Sequence, residues 1–257
     1  MEKSMADKPD FENVPIISVK NLTVGYGDEP IIKNVSLEVL SGEVFAIMGR
    51  SGCGKTTLFK AIIGLLEPEE GEVFIDGDKV LPITHGGAQP ILRKVGVLFQ
   101  SGALFSSMTL AENVAFPIRQ YTTLPESTVG QLVGLKLSEV GLEGYEKLLP
   151  RELSGGMQKR AALARAMALD PKILFFDEPS TGLDPLTSRE LDQTIVKINQ
   201  ALGTTIVLVT HELESVFRIA ARVIMIDGAE KGIIAEGSPE ELRDHNGDPR
   251  VKDFFNR

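Results

Sequence analysis

An α/β fold built on a mainly parallel sheet is predicted by three observations. Short apolar runs, too brief for helices, recur at residues 44–48, 95–100, 173–176 and 205–209. Helical periodicity separates the later ones, so successive strands are joined by crossovers and come out parallel. From Ala103 to about Leu149 the pattern stays helical with no strand in it, which marks an inserted helical lobe.

Taken in order, residues 1–13 are polar and read as a mobile tail. Residues 16–24 and 31–39 read as strands joined by Gly25-Tyr26-Gly27-Asp28-Glu29-Pro30, a run of turn formers. Ser41-Gly42-Glu43 turns the chain into the strand at 44–48, and after a glycine-rich loop an amphipathic helix is expected over 58–66. A turn at Pro68-Glu69-Glu70-Gly71 precedes a strand and turn at 72–77. Pro82, Gly86, Gly87 and Pro90 make 81–90 a loop, in which His85 reads as a solvated residue. In the helical lobe, turns are expected near Pro117, Pro125 and Gly141. Ser154 caps an alanine-rich helix over 157–169 that Pro171 stops. A helix at 185–202, the strand at 205–209, a closing hairpin at 221–226 and 231–235, and a helix at 239–245 follow. The principal domain is thus read as 14–240, its helical part about 101–160, with 241–257 as a C-terminal tail. Phe254 and Phe255 could pack on their own domain or on a neighbouring copy, the second being preferred.

Composition narrows the function classes. With 257 residues, 42% of them hydrophobic, the chain can bury a sizeable core. A formal charge of −9 argues against a general nucleic-acid binder. A single cysteine, Cys53, excludes an intrachain disulfide and points to a reducing compartment. The N-terminus lacks the apolar centre of a signal peptide, and no apolar run approaches the ~20 residues of a membrane span. A membrane role would therefore come through a partner.

Gly49-Arg50-Ser51-Gly52-Cys53-Gly54-Lys55-Thr56-Thr57 lies between a buried strand and a helix. This is the Gly-x-x-x-x-Gly-Lys-[Ser/Thr] phosphate loop in the context that gives it meaning. Glycines let backbone N–H groups converge on phosphate oxygens, and the helix N-terminus adds its positive end. Lys55 is expected to reach the β- and γ-phosphates of a nucleotide, and the Thr56 hydroxyl to ligate Mg²⁺. The apolar strand at 173–176 ends in Asp177-Glu178. Asp177 is placed to hold the metal through water, and Glu178 to polarise a water in line with the γ-phosphate. Cys53 reads as a small loop filler that bound nucleotide would shield.

Leu153-Ser154-Gly155-Gly156-Met157-Gln158 is a second capped helix N-terminus with glycines, again an anion site. Most phosphate-loop proteins lack it; here the chain resembles ATP-binding-cassette (ABC) ATPases, over residues 16–240. The resemblance implies an ABC-type nucleotide-binding domain: a RecA-like, mainly parallel sheet core with an antiparallel β subdomain and an inserted helical subdomain. It also implies two ATP molecules sandwiched in a head-to-tail homodimer, with Ser154, Gly155 and Gly156 of one copy facing the phosphate loop of the other. By the same resemblance Tyr26 stacks on adenine, Gln100 touches Mg²⁺ and the attacking water, Ser180-Thr181-Gly182-Leu183-Asp184 makes a dimer contact, and His211 contacts the γ-phosphate.

Cargo is addressed by resemblance alone. Phe99-Gln100-Ser101-Gly102-Ala103-Leu104-Phe105, Met108-Thr109, Glu112-Asn113-Val114-Ala115-Phe116-Pro117 and the stretch 248–255 are similar to Mla-type ATPases of lipid transporters built with Mce proteins. That implies a peripheral subunit on the cytoplasmic face of a bacterial inner membrane. It would pair with an integral permease, in some systems with an Mce-domain protein and a STAS-domain subunit, to move phospholipid between inner and outer membranes. Leu104, Phe105 and Phe116 could form a permease contact or belong to an ordinary helical lobe. The longer polar N-terminus and the 81–90 loop depart from that pattern. Two other readings stay open: a small-solute importer ATPase, and a soluble ABC ATPase acting on nucleic acid, which the acidic charge opposes.

Overall fold

The computed structural model describes residues 14–27, 29–82, 90–244 and 247–256. The stretch 1–13 and His85, with most of its loop, lie outside the described residues. In chain order the elements are β1 (Pro15–Gly25), β2 (Pro30–Leu40), β3 (Val44–Gly49), α1 (Lys55–Ile62), β4 (Glu70–Ile75), β5 (Asp78–Lys79), β6 (Val95–Leu98), α2 (Leu110–Tyr121), α3 (Glu126–Glu139) and α4 (Gly155–Ala166). After them come β7 (Ile173–Asp177), α5 (Pro185–Leu202), β8 (Thr205–Val209), α6 (Leu213–Ile219), β9 (Arg222–Asp227), β10 (Gly232–Gly237), α7 (Pro239–Arg243) and α8 (Pro249–Phe255).

Two sheets result. The first is antiparallel, in the order β2-β1-β4-β5. The second runs β10-β9-β3-β8-β7-β6 and is parallel throughout except for the β9–β10 hairpin. β3, β7 and β8 are buried along their whole length, as strands covered on both faces must be. Alternate residues of β3 serve opposite faces. Phe45 and Ile47 join the core shared with the antiparallel sheet and α1, while Ala46 and Met48 pack under α6, α7 and α8. At the centre of the first core Phe59 of α1 meets Phe175 of β7 edge-on, with ring centroids 5.9 Å apart. A third apolar cluster joins α2, α3 and α4 to Leu98, Leu174 and Phe176.

Several boundaries differ from the sequence reading, each for a local reason. α1 starts at Lys55 rather than Leu58, because Gly54 turns directly into the helix from a left-handed conformation, and it ends at Ile62, two residues before Gly64 at φ +76°. Pro117, expected at a turn, lies inside α2. It supplies no N–H, but the Thr109–Glu112 capping box fixes the start of that helix, and Val114, Ala115 and Ile118 bury its inner face. Residues 101–109, by contrast, are turns and irregular chain. α4 begins at Gly155, directly after its Ser154 cap. The stretch 248–255 forms α8, started by the Asp248 cap and Pro249, and puts Val251, Phe254 and Phe255 on one buried face against the chain's own Phe217. The preferred placing of the two phenylalanines, on a neighbouring copy, is therefore corrected.

Candidate nucleotide site

The loop between β3 and α1 is shaped by glycines, each at a positive φ. At Gly49 (φ +149°) a Cβ would stand 2.4 Å from the Ile226 carbonyl oxygen, and at Gly54 (φ +105°) 2.8 Å from both Ile31 and Ile32. The loop is thus clasped between β9 and the β1–β2 sheet. Gly52 also has a left-handed φ, of +77°, and like Arg50 and Ser51 it is exposed. Lys55 is buried and folds back, its Nζ donating to the Gly49 carbonyl at 2.9 Å and to that of Arg50 at 3.1 Å. Cys53 is buried beneath the loop, and that burial pushes its thiol up despite the charge of Lys55. Thr56 is exposed, whereas Thr57 points into the fold.

Asp177 ends β7 facing α1: the Thr56 hydroxyl donates to its Oδ1 at 3.4 Å. Burial, and then the charge of Glu178, push the Asp177 carboxyl upward against that hydroxyl's pull. Glu178 has a left-handed φ of +50°, with its N–H bonded to the Val209 carbonyl at 2.8 Å. That bond brings the ends of β7 and β8 together. As a result His211 Nδ1 stands 2.9 and 2.8 Å from the two carboxylate oxygens of Glu178. The sequence reading gave His211 to the γ-phosphate; the fold pairs it with Glu178. The Glu178 side chain is 13% exposed and that of His211 57%, so the pair opens on one side to solvent. A carboxylate held by imidazole at a strand end can accept a proton from water.

Gln100 is exposed just after β6. Its carbonyl accepts from Lys159 of α4, a residue the sequence reading missed. Lys159 is buried, and desolvation lowers its pKa against the opposing charges of Asp177 and Glu178. Its spacing, three after Gly156 and four before Leu163, put it on the inward face of the helix. Tyr26 is exposed at the tip of the β1–β2 hairpin.

The second glycine turn lies elsewhere. The Ser154 hydroxyl caps α4 by accepting from the Met157 N–H at 3.3 Å. Ser154 and Gly155 are exposed, and a Cβ on Gly156 would stand 2.4 Å from Thr187 Cγ2. The turn is therefore seated on the start of α5 and on Leu183. Among the described residues no hydrogen bond or ion pair joins Ser154, Gly155 or Gly156 to the loop 49–57. Within one chain the fold brings together the phosphate loop, Asp177, Glu178 and His211, and leaves the Ser154 turn facing outward.

A glycine-rich loop that opens a helix off a mainly parallel sheet, with a second glycine-flanked helix start facing outward, is the arrangement of an ATP-binding cassette. Residues 32–181 match the ABC transporter family, and the chain belongs to that family as an ATPase subunit. Its relatives include the intermembrane phospholipid transport system ATP-binding protein MlaF of Haemophilus influenzae, 47% identical over 95% of this chain and 91% of that protein. MlaF of Escherichia coli K12 is 42% identical over 99% and 91%. A probable ribonucleotide transport ATP-binding protein, mkl of Mycobacterium leprae, is 42% identical over 93% of this chain and 68% of its own length. Among solved structures, the dimeric post-hydrolysis state of the cassette MJ0796 bound to ADP and Pi superposes with a TM-score of 0.76 at 31% identity, covering 86% of this chain and 98% of that one.

Proposed function

We propose that this chain powers phospholipid transport between the inner and outer membranes of a bacterium, from the cytoplasmic face of the inner membrane and through an integral permease. Among the described residues no helix is long and apolar enough to cross a membrane, which supports a peripheral attachment. Near full-length similarity to MlaF proteins supports the lipid cargo over the ribonucleotide reading, whose named relative matches over less of its length. An Mce-domain lipid-binding protein and a STAS-domain subunit complete the assembly proposed; nucleic acid is no part of it.

The catalytic reading rests on one observation, the carboxylate of Glu178 bonded to His211 and to the Thr181 hydroxyl, one residue after the Asp177 that meets Thr56. ATP lies along the phosphate loop with its adenine on Tyr26. The main chain of residues 49–54 and the start of α1 receive the phosphates, and Lys55 turns from its own loop carbonyls to the β- and γ-oxygens. Among the described residues no group of three or more His, Cys, Asp or Glu could hold a metal. The hard oxygens of Thr56 and Asp177, with the Gln100 amide, suit a Mg²⁺ and would be the residues that hold it. Bound there, Mg²⁺ supplies charge neutralisation. Glu178 accepts a proton from the attacking water while His211 fixes the carboxylate's orientation. Ser154, Gly155 and Gly156 of a second copy close over the γ-phosphate. The helical part, about 101–160, moves with the permease as the dimer closes on ATP and reopens after hydrolysis.

E178Q keeps the shape of the site and removes the base. It is expected to bind ATP, lose at least about a hundredfold in turnover, and accumulate as a closed dimer on size-exclusion chromatography with ATP. Near-normal steady-state hydrolysis would take Glu178 out of the role. Lipid extracted from the purified complex and identified by mass spectrometry tests the cargo.

A further inference from the structure

One side of α4 is bonded to the chain that follows β6. Lys159 Nζ donates to the Gln100 carbonyl. Six residues on, Arg165 donates to the Ala103 carbonyl at 2.7 Å and to the Gly102 carbonyl at 3.0 Å. Ala162 lies between them, and a Cβ on Gly102 would meet its methyl at 3.5 Å, so the loop runs close along the helix. Gly102 and Ala103 both have left-handed φ, at +73° and +49°, which turns these carbonyls out of any ladder of their own. Further along, Asn113, wholly buried, accepts from the Phe105 N–H at 2.8 Å and donates to its carbonyl at 3.1 Å. The loop bearing Gln100 is thus fastened to the helical part at each end.

Lys159 is 8% exposed, and among the described residues the Gln100 carbonyl is its hydrogen-bond acceptor. A buried ammonium whose hydrogen-bond acceptor is one neutral carbonyl, with Asp177 and Glu178 acting on it as charges without a hydrogen bond, is a poor way to fill space, since a methionine of similar length would fit without desolvating a charge. Fold stability therefore does not account for it; the carbonyl it holds does.

We propose that Lys159 is a positioning residue for ATP hydrolysis: by tying the Gln100 carbonyl to α4, it makes the Gln100 side chain follow the helix that starts at Ser154. The inference rests on the reading above in which Gln100 touches the metal and the attacking water. Lys159 sits fewer than two turns from the Ser154 cap. When that cap closes on the partner copy's nucleotide, α4 carries Gln100 into place over its own. Each pocket thereby registers the filling of the other.

The test uses the assembled transporter and a double-mutant cycle with K159M, Q100A and the pair. K159M is expected to lower kcat about tenfold, as the loss of a charge-assisted hydrogen bond allows, with KM for ATP within about twofold. K159R restores turnover, and K159M/Q100A is no slower than Q100A alone. Hydrogen exchange across 99–104 quickens in K159M. Wild-type turnover in K159M, losses that multiply in the double variant, or a raised KM at unchanged kcat would each overturn the proposal. Full turnover by Q100A refutes the role of Gln100 whatever K159M does, whereas a Q100A loss beside an intact K159M refutes Lys159 alone. Should K159M not fold, K159Q carries the same cycle.

Discussion

The Glu178 backbone has a left-handed φ of +50°, a conformation that favours glycine, yet the position carries a carboxylate. Two truncations separate the backbone from the chemistry. E178A and E178G both lack the acid, and E178G is expected to be the more stable by about 1 kcal/mol, because only the alanine retains a Cβ at positive φ. Urea unfolding without nucleotide measures the difference, and equal midpoints would mean that the strand end relaxes. The phosphate loop was legible at this scale because few other chemistries need three glycines, a lysine and a threonine at that spacing. The pairing of Glu178 with His211 was not, since 33 residues separate them and only the β7–β8 register makes them neighbours. Lys159 was hidden for the opposite reason: a lysine in an alanine-rich helix reads as solvated unless its face is worked out.

At the scale of elements, the strands read well because β3, β7 and β8 are short apolar runs with polar ends. Helix starts read less well, because a glycine in left-handed conformation can open α1 as well as close another helix. The turn between β4 and β5 shows how the two sheets are joined. Asp76 accepts from Lys172 at 2.9 Å and is paired with Lys94 at 2.8 Å, which tie the antiparallel hairpin to the chain entering β7 and β6. Lys94, then Lys172, hold its carboxyl below the ordinary carboxylate value. Such a depressed acid stabilises the fold above its unfolded pKa and ceases to as pH falls through the folded one. D76N keeps the left-handed backbone, which asparagine tolerates. The wild type should exceed D76N by less than about 1 kcal/mol at pH 7, as partly exposed pairs do, and by less near pH 2. Urea midpoints at the two pH values check this, and a gap that widens on acidification would contradict it.

Over the whole molecule, α8 closes the core that it shares with α6, α7 and the Ala46–Met48 face of β3. Phe255 is 3% exposed and lies edge-on to Phe217 at 6.3 Å, while Arg250 of the same helix is bonded to Asp227 at the end of β9. F255A is expected to cost about 3–5 kcal/mol in urea unfolding; a loss below about 1 kcal/mol would mean that α8 is not part of the cooperative fold. The helix was not foreseen because seven residues are too few for periodicity to declare itself. Sheet order has a consequence for how the molecule is made. β3, which carries the phosphate loop on its end, is flanked by β8 and β9, strands that leave the ribosome more than 150 residues later. A nascent chain halted after the helical lobe would hold its loop glycines with neither neighbour in place. Cellular nucleotide can therefore template nothing early in synthesis, and the unfinished central strand must be kept from strangers until the last third of the polypeptide arrives.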